Sequence, residues 1–337
     1  MRNSYVTFRG WLLRPFLILL FIGSSSLPPQ QAFAESNYPL RPVSLVVPYA
    51  PGGAADVLAR LLGEKLSSRW GKPVVVENRA GASGQIGSEY VGQANGDPYR
   101  LLLGSQAVFS VLPLISDRKD FNLDSTYTPI SLLVQAPAVL MVSAKLGADT
   151  PEELVSMLKS AAPNTYSYSS NGVGTSQHLI AAQILDKLGV QALHVPYRGS
   201  GQALAALIAG DQVVLSVDNV PSVRTATQSG RVKALAVTTK ERLTMMPDVK
   251  TLDESVLPGF EMTTWMGLIA PPGIARETQQ FLSDEMQAVM SDPALQKRLS
   301  ELGFLPRTSS PEEFRSLVAQ ETAQLKMLIE KLKIARE

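Results

Sequence analysis

Residues 43–66 read Val-Ser-Leu-Val-Val-Pro-Tyr-Ala-Pro-Gly-Gly-Ala-Ala-Asp-Val-Leu-Ala-Arg-Leu-Leu-Gly-Glu-Lys-Leu. The first five form a short, nearly unbroken aliphatic run, the pattern of a strand buried on both faces. Pro48 and Pro51 then stop regular pairing, and Gly52-Gly53 leaves a backbone free to take positive φ. After the glycines, Leu58, Leu61, Leu62 and Leu66 recur at helical spacing. The unit is strand, Gly-rich turn, helix. In an open α/β sheet such a turn lies at the carboxyl end of its strand, where these folds bind ligands. Unpaired N–H groups and the positive dipole end at the helix start favour an anion. The stretch alone leaves two readings open, an anion site or a purely geometric entry into a helix. No Gly-Lys-Ser/Thr closes the loop, which argues against a Walker phosphate site.

Upstream of this unit, residues 1–34 carry the marks of a secretory signal peptide. Arg2, Arg9 and Arg14 make a basic start, the apolar run 16–22 is too short to span a bilayer, and Ala32-Phe33-Ala34 is a small-x-small cleavage site. Cleavage is expected after Ala34, with an uncleaved anchor as the other reading. The mature protein is then expected in the periplasm, with no stable membrane insertion. No cysteine occurs anywhere, which excludes lipoprotein attachment, disulfides and thiolate chemistry. Loss of the three leader arginines takes the formal net charge from +1 to −2. That near balance gives no reason to expect nucleic-acid or membrane-surface binding. About 300 residues remain, enough for two domains of ordinary size.

Downstream, strands and helices alternate. Strands are expected near 73–77 and 100–103, the latter ending at Gly104-Ser105, with a Gly-rich loop 78–84 and a helix to about 94 between them. Separate strands follow at 130–134 and 139–142, with a crossing between domains around Pro137. Thr150-Pro151-Glu152-Glu153 is a capping box with proline at the first helical position. The middle third repeats the opening theme. A strand at 166–169 runs through Asn171-Gly172-Val173-Gly174-Thr175 into a helix. A strand at 193–195 runs through Pro196-Tyr197-Arg198-Gly199-Ser200-Gly201 into another. Strands at 213–217 and 233–237 follow, and 265–270 leads back to the first domain before helices at 278–290 and 311–334. Such alternation implies mainly parallel sheets flanked by helices.

The chemical inventory argues against an enzyme. Of the two histidines, His178 and His194, neither has a metal-ligand partner at i+4, and no metal site is expected. His194 reads as structural; His178, in a first helical turn after a Gly-rich loop, fits a pocket or a structural role equally. Arg198-Gly199-Ser200-Gly201 lacks the full Gly-x-Ser-x-Gly elbow, and Gly81, Gly84 and Gly87 do not have dinucleotide spacing. What recurs in both halves is a Gly-rich turn entering a helix. Two such turns facing one cleft would clamp an anion without any charged group.

An ordered series of short stretches resembles the periplasmic receptors of tripartite tricarboxylate transporters, the Bug receptors. It comprises Tyr38-Pro39-x-Arg41-Pro42, Val46-Val47-Pro48-Tyr49-Ala50-Pro51-Gly52-Gly53-x-x-Asp56 and Val76-Glu77-Asn78-Arg79-x-Gly81-Ala82-x-Gly84. Gly174-Thr175-x-x-His178-Leu179, Val195-Pro196-Tyr197-Arg198-Gly199, Asp218-Asn219-x-Pro221-Ser222 and Trp265-x-Gly267-Leu268-x-Ala270-Pro271 complete it. The resemblance implies a two-domain periplasmic-binding-protein fold of the Venus flytrap kind, type II. Its domains would be 35–137 plus 260–337, and 138–259. It implies a monomeric receptor without cofactor that captures a small carboxylate in the interdomain cleft and delivers it to membrane permease subunits. A ligand-sensing partner of a signalling receptor would use the same flytrap.

The resemblance also places the ligand. Tyr49, Gly52, Gly53 and Ala54 would face it from one domain, Gly174, Thr175 and His178 from the other, with Ser105 and Asp218 at strand ends. Asp218 has a second reading as a helix cap, Asp56 as a complement to its helix dipole, and Arg198 as a solvated loop charge rather than a carboxylate partner. The chain departs from the family pattern at Pro98, Arg100, Asn122, Tyr127 and Lys250. It also departs at Asn171, the one change that touches the pocket.

Overall fold

A computed structural model describes residues 38–116, 121, 123, 126–332 and 334. The leader and Asn122 lie outside the described residues. The chain forms β1 (Val43–Val47), α1 (Ala54–Trp70), β2 (Val74–Asn78), α2 (Gln85–Gly92), β3 (Arg100–Ser105) and α3 (Leu112–Ile115). The long β4 (Thr128–Ser143) leads to α4 (Pro151–Ser160), β5 (Ser167–Ser170), α5 (Ser176–Leu188), β6 (Leu193–Pro196) and α6 (Ser200–Ala209). Next come β7 (Leu215–Asn219), α7 (Val220–Gln228), β8 (Val232–Val237) and β9 (Lys250–Thr251). The chain closes with β10 (Thr263–Ala270), α8 (Arg276–Met290), α9 (Pro293–Leu302), β11 (Leu305–Pro306) and α10 (Pro311–Leu332).

The main path through the sheet runs β2-β1-β3-β10-β4-β7-β5-β6. Strands β2, β1 and β3 pair in parallel, as do β7, β5 and β6, and each triplet follows from strand–helix–strand crossovers. Between the triplets, β10 and β4 run antiparallel to their neighbours. Strand β4 joins the two halves. Its residues 128–137 pair with β10, and from Ala138 onward it pairs with β7 and β8. The two strands expected at 130–134 and 139–142 are therefore one strand of 16 residues. Pro137 does not interrupt it, because a missing N–H is tolerated where the strand exchanges partners.

Each half has its own core. In the first, Leu58, Leu62 and Leu66 of α1 are fully buried and pack with Leu45, Leu101 and Leu282. The α1 positions are three or four residues apart, so one stripe faces the sheet. In the second, Ile180 and Ile184 of α5 pack with Leu140, Leu215 and Phe260. The C-terminal helix belongs to both. Phe314 and Val318 join Trp265 in the first half, whereas Leu325 and Ile329 pack with Leu179 of α5.

Close backbone approach, rather than turn geometry, fixes one glycine. A Cβ on Gly87 of α2 would lie 2.8 Å from both Arg79 O and Pro48 Cα, where neither neighbour is a flexible side-chain end. This contact seats α2 against the loop that leads from β1 into α1. Gly87→Ala is expected to destabilise the protein by about 1–3 kcal/mol through overpacking. Gly201→Ala, whose Cβ would meet open space, should be neutral or slightly stabilising. Thermal melts of the two variants check this, and equal melting temperatures would contradict it.

Candidate functional site

At the seam between the half-sheets lies a cavity of about 60 Å³, counted as space open to the centre of a water-sized sphere. One water needs roughly 10–15 Å³ by that measure, so the space suits a small molecule. Four helices begin at its wall. Gly53, Ala54 and Ala55 come from the start of α1, Ser176 and Gln177 from α5, Gly199 and Ser200 from α6, and Asn219 and Ser222 from α7. Tyr49, Ala50, Ser105, Ala107, Asn171 and residues 264–266 of β10 close the remainder. None of the described lining residues carries a charged side chain.

A helix start leaves backbone N–H groups without intrahelical partners, and a capping side chain usually takes one or two. Here Gly53, Gly199 and Asn219 occupy the N-cap positions of α1, α6 and α7 with no side-chain cap bond. At α5 the Thr175 hydroxyl accepts only from His178 N. One donor is used across the seam, where Ala54 N donates to Ser222 Oγ at 2.8 Å. A second bridge lies beside the cavity, from Ser83 Oγ to Val173 O at 2.8 Å. Ser83 sits at φ 53°, a left-handed conformation uncommon for a residue with a side chain.

Of the residues expected to face a ligand, Tyr49, Gly53, Ala54 and Ser105 line the cavity. Tyr49 Oη and Ser105 Oγ are 2.6 Å apart. Burial pushes the phenol up to about 12 against the opposing effect of that bond, so Tyr49 is neutral at physiological pH. Positive φ falls on Gly52 (89°), whereas Gly53 is extended at −80°. A Cβ on Gly53 would lie 3.7 Å from Ser200 Oγ, an ordinary van der Waals contact, so a side chain larger than a methyl would press on the start of α6. Asp56 turns away from the cavity and accepts from Gly52 N (3.0 Å), Asn78 Nδ2 (3.0 Å) and Arg60 Nε and Nη2 (3.0 and 2.9 Å). Burial works to raise its pKa, but the bonds from Arg60, Gly52 and Asn78 outweigh it and hold the carboxyl below its usual range.

The second-half candidates stand behind the wall. A Cβ on Gly174, at φ 71°, would collide with Ile115. His178 Nδ1 accepts from Gly174 N at 3.2 Å, and Thr175 Oγ1 donates to Gly172 O at 2.8 Å. Together they set the start of α5, and Ser176 and Gln177 reach the cavity in their place. The exposed Arg198 is off the lining, although Gly199 and Ser200 beside it belong to it. Asp218 accepts from Asn219 N at 2.7 Å and Asn171 Nδ2 at 3.2 Å. Burial pushes its carboxyl up to about 6 against the bonds from Ser200, Asn219 and Asn171. It buttresses three lining residues without lining the cavity itself. Ser176, Gln177, Ser200, Asn219 and Ser222 were not among the expected contacts.

The two histidines form one unit. Their rings stack at 3.9 Å and 7°, with Tyr168 against His194 at 4.9 Å. His194 Nε2 and Ser170 Oγ are 2.7 Å apart. Burial, with a further push from His194, takes His178 down to about 3, and burial takes His194 down to about 4.

Parallel triplets joined by crossing strands, with a polar uncharged cavity at the join, define a two-domain periplasmic-binding-protein fold. The solved periplasmic binding protein BugD superposes on it with a TM-score of 0.82 at 34% identity, over 89% of this chain and all of that one. The family model of the tripartite tricarboxylate transporter family receptors, TctC, matches residues 58–334, and the chain belongs to that family. A protein from the tcbD-tcbE intergenic region of Pseudomonas sp. strain P51 is 36% identical over 315 residues, covering 93% of this chain and 91% of its own. Rpa4515 of R. palustris, solved with adipate, matches with a TM-score of 0.85 at 30% identity, over 88% and 99% of the two chains.

The histidine stack predicts an acid response whose sign follows from the direction of the shifts. Both folded pKa values lie below the ordinary 6.5, so the unfolded chain binds more protons and stability falls as pH drops from about 6.5 toward 4. Asp218, raised from 3.8 to about 6, contributes in the opposite sense and offsets part of the loss. His178→Asn keeps an acceptor near Gly174 N–H and cannot take up the proton. Its acid-side loss should be shallower by up to about 1.4 kcal/mol per pH unit. Urea unfolding at pH 7 and pH 4 measures this, and an unchanged slope would contradict it.

Proposed function

We propose that this protein is a periplasmic receptor, not an enzyme, that captures a small carboxylate in the seam cavity and passes it to membrane permease subunits. The observation that carries the reading is the convergence of four helix starts on a small cavity with no charged side chain. Helix N-termini present N–H donors and positive partial charge, which suit a carboxylate. The family supports the class of ligand, since its relative Rpa4515 was solved with adipate. On this reading the leader is cleaved after Ala34. The domains are 35–137 plus 260–337 and 138–259, moving about the crossing strands, and the contacts from Ala54 to Ser222 and from Ser83 to Val173 belong to the closed form.

Calorimetric titration with short mono- and dicarboxylates tests the proposal, with neutral sugars and organic cations as controls. Carboxylates should bind, and at about 100 times Kd the bound ligand should add about 2.7 kcal/mol of stability. Gly53→Val places branches between α1 and α6 and should weaken binding at least ten-fold, the loss of one charge-assisted bond of about 1.5–3 kcal/mol. Arg198→Ala should stay within a factor of about three. If Gly53→Val binds normally while Arg198→Ala abolishes binding, a side-chain ion pair holds the ligand and the reading is wrong.

A further inference from the structure

Glu321 of α10 accepts three hydrogen bonds from the first half of the molecule. Gln106 Nε2 and Ser110 Oγ each donate at 2.7 Å, and Trp265 Nε1 at 2.6 Å. All three donor residues are buried. Gln106 lies between Ser105 and Ala107, both on the cavity wall, and Trp265 is itself part of that wall. Ser110 belongs to the π-helical turn Ala107–Val111 that continues from this segment. One carboxylate thus ties together two of the pieces of wall that the helix starts do not supply.

The same helix grips Trp265 a second time. Phe314 meets the indole edge to face, with centroids 5.1 Å apart and planes at 87°. Farther along, α10 reaches the second half, where Lys331 pairs with Asp186 of α5 and Leu325 and Ile329 pack with Leu179. A carboxylate is an acceptor with room for several donors, and Trp Nε1 is a donor with no alternative role. Removing Glu321 therefore leaves the buried Trp265 Nε1 and Ser110 hydroxyl without this acceptor, while Gln106 Nε2 keeps only its longer bond to Thr263 O at 3.4 Å, which is unfavourable unless the groups rearrange. In a cavity of about 60 Å³, rotation of one indole changes a large share of the space.

We propose that Glu321 is a positioning residue for the cavity, setting its shape from the C-terminal helix by fixing Trp265 and the Ser105–Ala107 segment. The inference rests on the carboxylate-receptor reading above. Glu321 does not touch the ligand; its effect on which carboxylates fit passes through the indole and the Gln106 amide.

The full-length protein has three tryptophans, Trp11, Trp70 and Trp265. Trp70 is an internal control, because its Nε1 donates to a different carboxylate, Glu285, at 2.7 Å. Indole N–H resonances in nitrogen–proton correlation spectra, with the Trp265 signal assigned by its loss in Trp265→Phe, report each bond directly. Glu321→Ala should move the Trp265 signal alone and weaken binding of the tightest carboxylate found for the wild type at least ten-fold. Glu321→Gln retains an acceptor for the indole and should keep the Trp265 signal and hold affinity within about three-fold. Should Glu321→Ala fail to fold, Trp265→Phe removes the donor and leaves a smaller ring free of the Glu321 bond on the wall, and it should weaken binding in a folded protein. A displaced Trp265 signal with wild-type affinity, or unchanged affinity in Trp265→Phe, overturns the positioning role alone. A wild-type protein that binds no carboxylate overturns the receptor reading and this inference with it.

Discussion

The first residues of α1, α5, α6 and α7 line one small cavity, and on the receptor reading the constraint on the rest of the structure is to hold these helix starts together. A helix start typically stabilises a nearby negative charge by about 0.3–1 kcal/mol, rising to about 2 in partly buried settings. Several starts aimed at one point can therefore supply useful binding energy with no cationic side chain. A buried lysine or arginine would be left an uncompensated charge whenever the cavity held no anion, and even when paired its desolvation penalty can exceed the Coulombic gain. N–H dipoles fixed by turns carry a much smaller penalty. An uncharged site can thus hold an anion and release it.

The acids near the cavity support this arrangement from behind. Asp56 spends its carboxylate on the Gly52 N–H, on Asn78 and on Arg60, which fixes the turn before α1 and leaves little net charge near the ligand space. Asp218 has no cation among its described partners and sits among Asn171, Asn219 and Ser200, with burial raising its pKa toward 6. Glu321 does the corresponding work for Trp265 and Gln106. Asp218 and Glu321 order lining groups, and Asp56 orders the turn beside them, each without itself lining the cavity. That geometry matters because a negative charge facing the cavity would oppose the helix starts.

Much of the fold was legible in the sequence because local chemistry and tertiary context agree there. Residues 43–47 form β1 as read, Thr150 and Glu153 make both bonds of the capping box, and Leu58, Leu62 and Leu66 give α1 its buried stripe. The split expected within β4 did not occur, because Pro137 reads as a breaker when the partner strands are unknown. Around the cavity, motif reading picked out the turns, and the lining residues follow the motif residues by one to four positions. Gly174 and Thr175 build the turn, whereas Ser176 and Gln177 reach the cavity; Arg198 precedes Gly199 and Ser200, and Asp218 precedes Asn219 and Ser222. A simple rule would have found most of these, since the first helical residues carry the N–H groups that point outward. Glu321 gave no local signal. It lies in an amphipathic helix more than 200 positions from Gln106, and only the folded chain brings them together.

A crystal structure of the protein with a bound carboxylate tests the central claim most directly. The account predicts carboxylate oxygens within ordinary hydrogen-bond distance of first-turn N–H groups from α1 and at least one of α5, α6 and α7, with no arginine or lysine head group in contact. A ligand carboxylate paired with a cationic side chain, or bound outside the seam cavity, would contradict it.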